Sequence, residues 1–144
     1  MYRMHFISER NVEEFERIRS EIDRVTDGAA RGEFTTDDLK TLIARGTAYA
    51  GYLTTDDGVV KLAWVWEMVF YPRKTKANLI AMAGSGFREC CEHWYEYMKD
   101  VWRSQGAVAV TCYTSPAMAR FLSRAGFFEQ YRFLEMELDD AKHE

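Results

Sequence analysis

The segment that most constrains the fold runs from Lys76 to Phe128, KANLIAMAGSGFRECCEHWYEYMKDVWRSQGAVAVTCYTSPAMARFLSRAGFF. An apolar run, Asn78 to Ala83, leads through the glycine turn Gly84-Ser85-Gly86 into an amphipathic stretch from Phe87 to Gln105. A second apolar run, Ala107 to Tyr113, follows, and then a short helix closed by Gly126. A strand joined to the next strand through a helix of this length is a βαβ crossover, which sets its two strands parallel. The glycine turn then stands where a helix begins. Several backbone N–H groups lack intrahelical acceptors there, and residues without a Cβ let an anionic ligand approach them. A phosphate suits that geometry; a tight strand-to-helix turn with no guest is the other reading of the same three residues.

The remaining composition fits one core. With 144 residues, 47% of them hydrophobic and 15% aromatic, the chain reads as a single domain over residues 1–138 with a charged tail at 139–144. Its 19 Lys and Arg against 23 Asp and Glu leave a net charge of −4, which argues against nucleic acid as a partner. No run approaches the roughly 20 apolar residues of a membrane span, and Met1 to His5 lead into no signal-peptide core, so no membrane partner is expected and the location is read as cytoplasmic. Cys90 and Cys91 are adjacent and Cys112 lies in a strand, a spacing that suits neither a metal site nor a disulfide framework. They read as buried small side chains.

Taken in order, Tyr2 to Ile7 alternate as a strand. Asn11 with Glu14 suggests a capped helix start, with Val12, Phe15, Ile18, Ile22 and Val25 at helical spacing. Gly28 and Gly32 interrupt it, and a second helix starts at Thr36 with Asp37 and Asp38 in its first turn and Gly46 beyond its end. Thr47 to Leu53 and Val59 to Tyr71 read as an antiparallel hairpin around Asp57-Gly58. The second of these strands is apolar on both faces, which predicts a covered central strand. Pro72 to Lys76 is a charged hairpin tip. In the long helix, Phe87, Cys91, Trp94, Met98 and Trp102 form the predicted core stripe. Ser115-Pro116 starts the next helix, and Glu129 to Leu138 alternate as a last strand. The result is an α/β (α+β) chain of order β-α-α-β-β-β-α-β-α-β, with a mixed, mostly antiparallel sheet containing a central parallel pair.

That order, with Gly84 and Gly86 between the fourth strand and the third helix, resembles the GNAT superfamily of acyl-CoA N-acyltransferases. In that family the loop Arg/Gln-x-x-Gly-x-Gly/Ala cradles the pyrophosphate of coenzyme A. Gly84 and Gly86 match the small positions, and Ala81 stands where the family has Arg or Gln. The family's later helix carries Asn-x-x-Ala, then a Tyr that often protonates the leaving thiolate, then Gly-Phe. Here Ser115, Met118 and Leu122 replace the Asn, Ala and Tyr, and Gly126-Phe127 is kept. The block Trp66 to Arg73 and the run from Thr114 to Gly126 are similar to small GNAT-like proteins of bacteriophages and prophages. Phage encoding would place the chain in a host cytoplasm.

The resemblance implies acetyl-CoA as cosubstrate, held by Leu79, Ile80, Ala81, Met82, Ala83, Gly84, Ser85, Gly86, Phe87 and Ser115, with a small-molecule or protein amine as acceptor. A homodimer is an open arrangement. Among side chains, Glu67 is the best base: it is the one acidic or basic residue between Leu62 and Phe70, where burial would raise its pKa. Pairing with a helix arginine is the alternative role. Tyr113, at the end of the strand after the long helix, is the candidate acid, with ordinary packing as its alternative. No metal ligands are expected. Beside the acyltransferase stand two other readings, a non-catalytic GNAT-like phage protein serving as a virion or host-interaction module, and a binding domain unrelated to coenzyme A.

Overall fold

A computed structural model describes residues 1–29 and 32–139. Its elements are β1 (Tyr2–Ile7), a tight 3-10 segment (Glu9–Ile18), α1 (Arg19–Arg24), a π-type turn (Val25–Ala29), α2 (Thr36–Ala44), β2 (Ala48–Thr55), β3 (Val60–Phe70), β4 (Thr75–Ala83), α3 (Phe87–Ser104), β5 (Ala109–Cys112) and α4 (Pro116–Ser123). The strands form one sheet in the order β1-β2-β3-β4-β5. The first three neighbouring pairs are antiparallel, and β4 and β5, joined through α3, are parallel. The mixed sheet expected from the sequence is present, with the parallel pair at one end of the five strands.

Two units divide the chain, Met1–Thr114 and Ser115–Glu144. In the first, α1 and α2 cover one sheet face, where Phe15, Ile18, Ile22, Leu39 and Ile43 pack with Ala50, Tyr52, Ala63, Val65 and Ala81 in a single core. The opposite face is built on tryptophans. Trp94 lies edge-on to Trp64 at 6.1 Å and to Trp102 at 5.8 Å, and Trp102 lies edge-on to Trp66 at 6.4 Å. Such offset aromatic pairs add about 0.5–1.5 kcal/mol each beyond the area they bury. Mid-strand Gly51 makes room for them: a Cβ there would lie 2.6 Å from the Trp64 ring. The buried stripe of α3 is Phe87, Cys90, Trp94, Met98 and Trp102. Cys90 rather than Cys91 faces inward, because helical spacing from Phe87 admits either and packing selects one.

Three other expectations are revised. The first helical run starts at Ser8, whose Oγ accepts from the Arg10 amide while Asn11 Oδ1 accepts from the Ser8 amide, so Asn11 closes a capping box instead of opening one. β3 is covered only over Leu62 to Trp66; Phe70, near its far end, is 76% exposed. Residues 129–138, expected as the last strand, form none. Their apolar side chains change faces, Tyr131 and Phe133 on one parity and Leu134, Met136 and Leu138 on the other, so no single face can be buried. In that second unit Ser115 caps α4 by accepting from the Met118 amide at 3.2 Å, and Gly126 takes φ 101° beyond its end. Residues 140–144 of the tail lie outside the described residues.

Candidate functional site

The expected cosubstrate residues of the first unit, Leu79 to Phe87, run from the last pair of the β4–β5 ladder into the start of α3. The parallel ladder runs from Lys76 opposite Ala109 to Leu79 opposite Cys112 and stops there. On the other side, Val65 lies opposite Ala81 and Trp66 opposite Leu79, so Ile80 is an extra residue, a bulge just past the last pair of that ladder. Beyond it, β4 continues through Ala83 with no β5 partner among the described residues. Ala81 and Leu79 are buried, whereas Ile80, Met82 and Ala83 are half-buried.

The glycine turn is tied to the start of β3. Gly86 donates its amide to the Lys61 carbonyl at 2.9 Å. A Cβ on Gly84, whose φ is +148°, would lie 2.3 Å from that carbonyl oxygen and 2.8 Å from Leu62 Cα. One on buried Gly86 would lie 2.9 Å from Lys61 Cβ. The space that both glycines leave is thus filled by protein. What faces outward is Ser85, exposed, beside a helix start that no side chain caps. A helix cannot satisfy its own first-turn amides internally. Lys61 is the neighbouring cation, its Nζ 3.2 Å from Glu89 in the same first turn. Phe87 turns inward against Trp94, centroids 6.1 Å apart.

Glu67 lies on β3 opposite Ala48 and Asn78. It is half-buried, and its partner is an amide where the sequence suggested an arginine: Asn78 Nδ2 donates to Glu67 Oε2 at 3.0 Å. Thr111 on β5 in turn donates its hydroxyl to Asn78 Oδ1 at 2.9 Å. The row Glu67, Asn78, Thr111 becomes visible only once the strand register is known. Tyr113, one residue beyond β5, is 78% exposed. Ser115 belongs to the second unit, its hydroxyl engaged in capping α4.

Elsewhere, burial and then the hydrogen bond to Glu14 push the Tyr52 hydroxyl up to about 12. Burial also raises the Cys90 and Cys112 thiols; of the three cysteines expected to be buried, Cys90 is, whereas Cys91 and Cys112 are half-buried. A cavity of about 230 Å³ opens between α1 and α2, lined by Arg19, Asp23, Thr26, Asp27, Thr35, Thr36 and Asp37. Its groups largely satisfy one another: Thr36 bonds Asp23 and Thr26, and Arg19 holds Asp37. Among the described residues no cluster is placed to hold a metal ion, and no helix is long and apolar enough to cross a membrane.

No protein-family model matches the sequence, and no curated protein matches it either. Solved structures do. A probable acetyltransferase superposes with a TM-score of 0.74 at 14% identity, covering 98% of this chain and 99% of its own. The chain has a GNAT-like fold. An aminoglycoside acetyltransferase from an uncultured soil metagenomic sample, in complex with sisomicin, matches with a TM-score of 0.71 at 11% identity, covering 96% and 97% of the two chains. A Trypanosoma brucei acetyltransferase gives 0.70 at 11% identity, covering 96% and 100%.

Proposed function

We propose that this chain is a CoA-dependent N-acyltransferase that moves an acetyl group from acetyl-CoA to an amine. The observation that carries the reading is the stretch Ile80 to Ala83, unpaired with β5 among the described residues, which leads into the start of α3, where no side chain caps the helix. An extended amide chain such as a pantetheine arm can hydrogen-bond along such a stretch, and a pyrophosphate is favoured by first-turn amides. The residues present fit that group through backbone, Ser85 and Lys61; Ala81, at the position where the resembling family has a cation or amide, adds nothing. Acetyl-CoA would supply a thioester whose acyl group an amine can take. For that transfer the amine must be neutral, and Glu67 is the group proposed to hold its proton. Tyr113 is the proposed donor of a proton to the departing thiolate.

Calorimetric titration and melting with acetyl-CoA test the reading. Saturation at 100 times Kd should add about 2.7 kcal/mol, which is roughly 6–10 °C for a domain of this size. Ser85→Glu should leave melting of the free protein unchanged and weaken binding at least tenfold, because it sets a negative charge at an exposed position where the phosphates would sit. The absence of both binding heat and a melting shift at millimolar acetyl-CoA would overturn it. A second reading, a non-catalytic and phage-encoded module, draws on Leu122: it is apolar and 3% exposed at the position where the resembling family carries its acidic Tyr. Binding of acetyl-CoA with no acetylation of any amine in a broad panel would favour that reading.

A further inference from the structure

We propose that Asn78 and Thr111 are positioning residues for Glu67, forming a relay across three strands that holds its carboxyl in one orientation in both protonation states; the inference rests on the reading of Glu67 as the base. The three residues occupy consecutive rungs, Glu67 opposite Asn78 and Asn78 opposite Thr111. Opposed residues share a sheet face, so the side chains form one row. An asparagine between Ala77 and Leu79, both buried, is an unusual choice for a strand unless its amide is used. Here both ends are used, Oδ1 receiving the Thr111 hydroxyl and Nδ2 donating to Glu67 Oε2. Among the described residues Glu67 forms no ion pair, and its β2 neighbour is Ala48, so the amide is what orients it.

The chemistry of the row explains why these three types stand together. A threonine hydroxyl both donates and accepts, and a carboxamide presents a donor on one side and an acceptor on the other. With Glu67 ionised, the NH2 group faces the carboxylate and the amide oxygen takes the Thr111 proton, as observed. When Glu67 takes a proton, an N–H bond of the incoming ammonium breaks and an O–H bond forms at the carboxyl; no other bond changes. The new O–H lies on Oε1, so Oε2 becomes the carbonyl oxygen of the acid and goes on accepting from Asn78 Nδ2, while Asn78 Oδ1 keeps the Thr111 proton. Both states keep two hydrogen bonds, and Glu67 Oε1 is the oxygen left for the amine. A base cycles between these states, whereas a carboxylate that serves only packing needs one.

The test needs no knowledge of the acceptor. In the full chain labelled with nitrogen-15, the side-chain amide signals of Asn78 are identified by their loss in Asn78→Ala. They should move as the pH is lowered, and lie flat in Glu67→Gln. Flat signals in the unmodified chain, or an equal titration in Glu67→Gln, would overturn the relay. Where an amine is acetylated, Thr111→Val should lower kcat about tenfold at unchanged KM for acetyl-CoA. Thr111→Ser, which restores the hydroxyl, should recover most of the rate. Equal losses in the two variants would mean that Thr111 acts by packing and would refute the positioning role. If the unmodified chain acetylates no amine, the acyltransferase reading fails, and the amide titration alone decides the relay.

Discussion

Replacing Gly84 by Ala should be among the most damaging single-methyl changes available to this chain. The added Cβ would lie 2.3 Å from the Lys61 carbonyl oxygen, more than 1 Å inside a normal contact of about 3.5 Å, and 2.8 Å from Leu62 Cα. Both obstacles are backbone of β3, which cannot swing aside as a side chain would. Forced overpacking costs about 1–3 kcal/mol, and holding a non-glycine residue at φ +148° adds about 1–3 kcal/mol. The sum, about 2–6 kcal/mol, is a large part of the roughly 5–15 kcal/mol that holds a domain folded. Gly86→Ala should cost less, about 1–2 kcal/mol, since its φ is −110° and the approach to Lys61 Cβ is 2.9 Å. Ser85→Ala, exposed between them, should stay within about 0.5 kcal/mol. Urea midpoints at constant m measure all three. A Gly84→Ala variant within 0.5 kcal/mol of the parent, or a ranking that puts Ser85 above Gly84, would refute the reasoning. The same contacts mean that loss of ligand binding in a Gly84 or Gly86 variant cannot separate folding from recognition, whereas Ser85→Glu can.

Other outcomes follow from the same geometry. Trp94→Ala, which empties the centre of the tryptophan cluster between α3 and the sheet, should cost about 3–5 kcal/mol in denaturant and collapse the near-ultraviolet circular dichroism. Hydrogen bonds from Arg19 and then Lys40 hold the Glu16 carboxyl down to about 2. A carboxyl held below its unfolded value stabilises the fold above about pH 4.5 and loses that contribution as the pH falls toward 2. The melting difference between the parent and Glu16→Gln should therefore be full at pH 7, close between those limits, and shrink with salt. Tyr52, pushed up to about 12, keeps its contribution below about pH 10 and loses it as the pH rises through 12. In an absorbance titration it should be the last tyrosine to ionise, a step missing in Tyr52→Phe.

Much of the fold was legible because local rules and tertiary demands agree. Asp57-Gly58, with Gly58 at φ 87°, fixes the β2–β3 hairpin, and the long run between the apolar strands β4 and β5 forces a parallel crossover. Thr35 and Ser115 cap their helices as their types prescribe. Failures came where a pattern has two local solutions that only packing separates, as at Cys90 against Cys91, or Ser8 against Asn11. Residues 129–138 alternate well enough to suggest a strand, but a strand is defined by its ladder partner, which no local pattern specifies.

The site was legible to a similar depth. The position of the turn could be read from Gly84-Ser85-Gly86, but the reason for its glycines could not, since Lys61 and Leu62 lie more than 20 positions earlier in the chain. Likewise Glu67 stands out as a lone carboxylate in an apolar strand. Its partners Asn78 and Thr111 sit on two other strands and depend on a register that includes the Ile80 bulge.

The central claim is that the stretch Ile80 to Ala83 of β4 and the start of α3 form the coenzyme site. Nitrogen-15 amide shifts recorded during titration with acetyl-CoA test it most directly. The account predicts perturbations concentrated in Ile80 to Ala83, Ser85 and the first turn of α3, all saturating with one affinity and all weakened together by Ser85→Glu. Shifts confined to the cavity between α1 and α2, or a spectrum unmoved at millimolar acetyl-CoA, would contradict it.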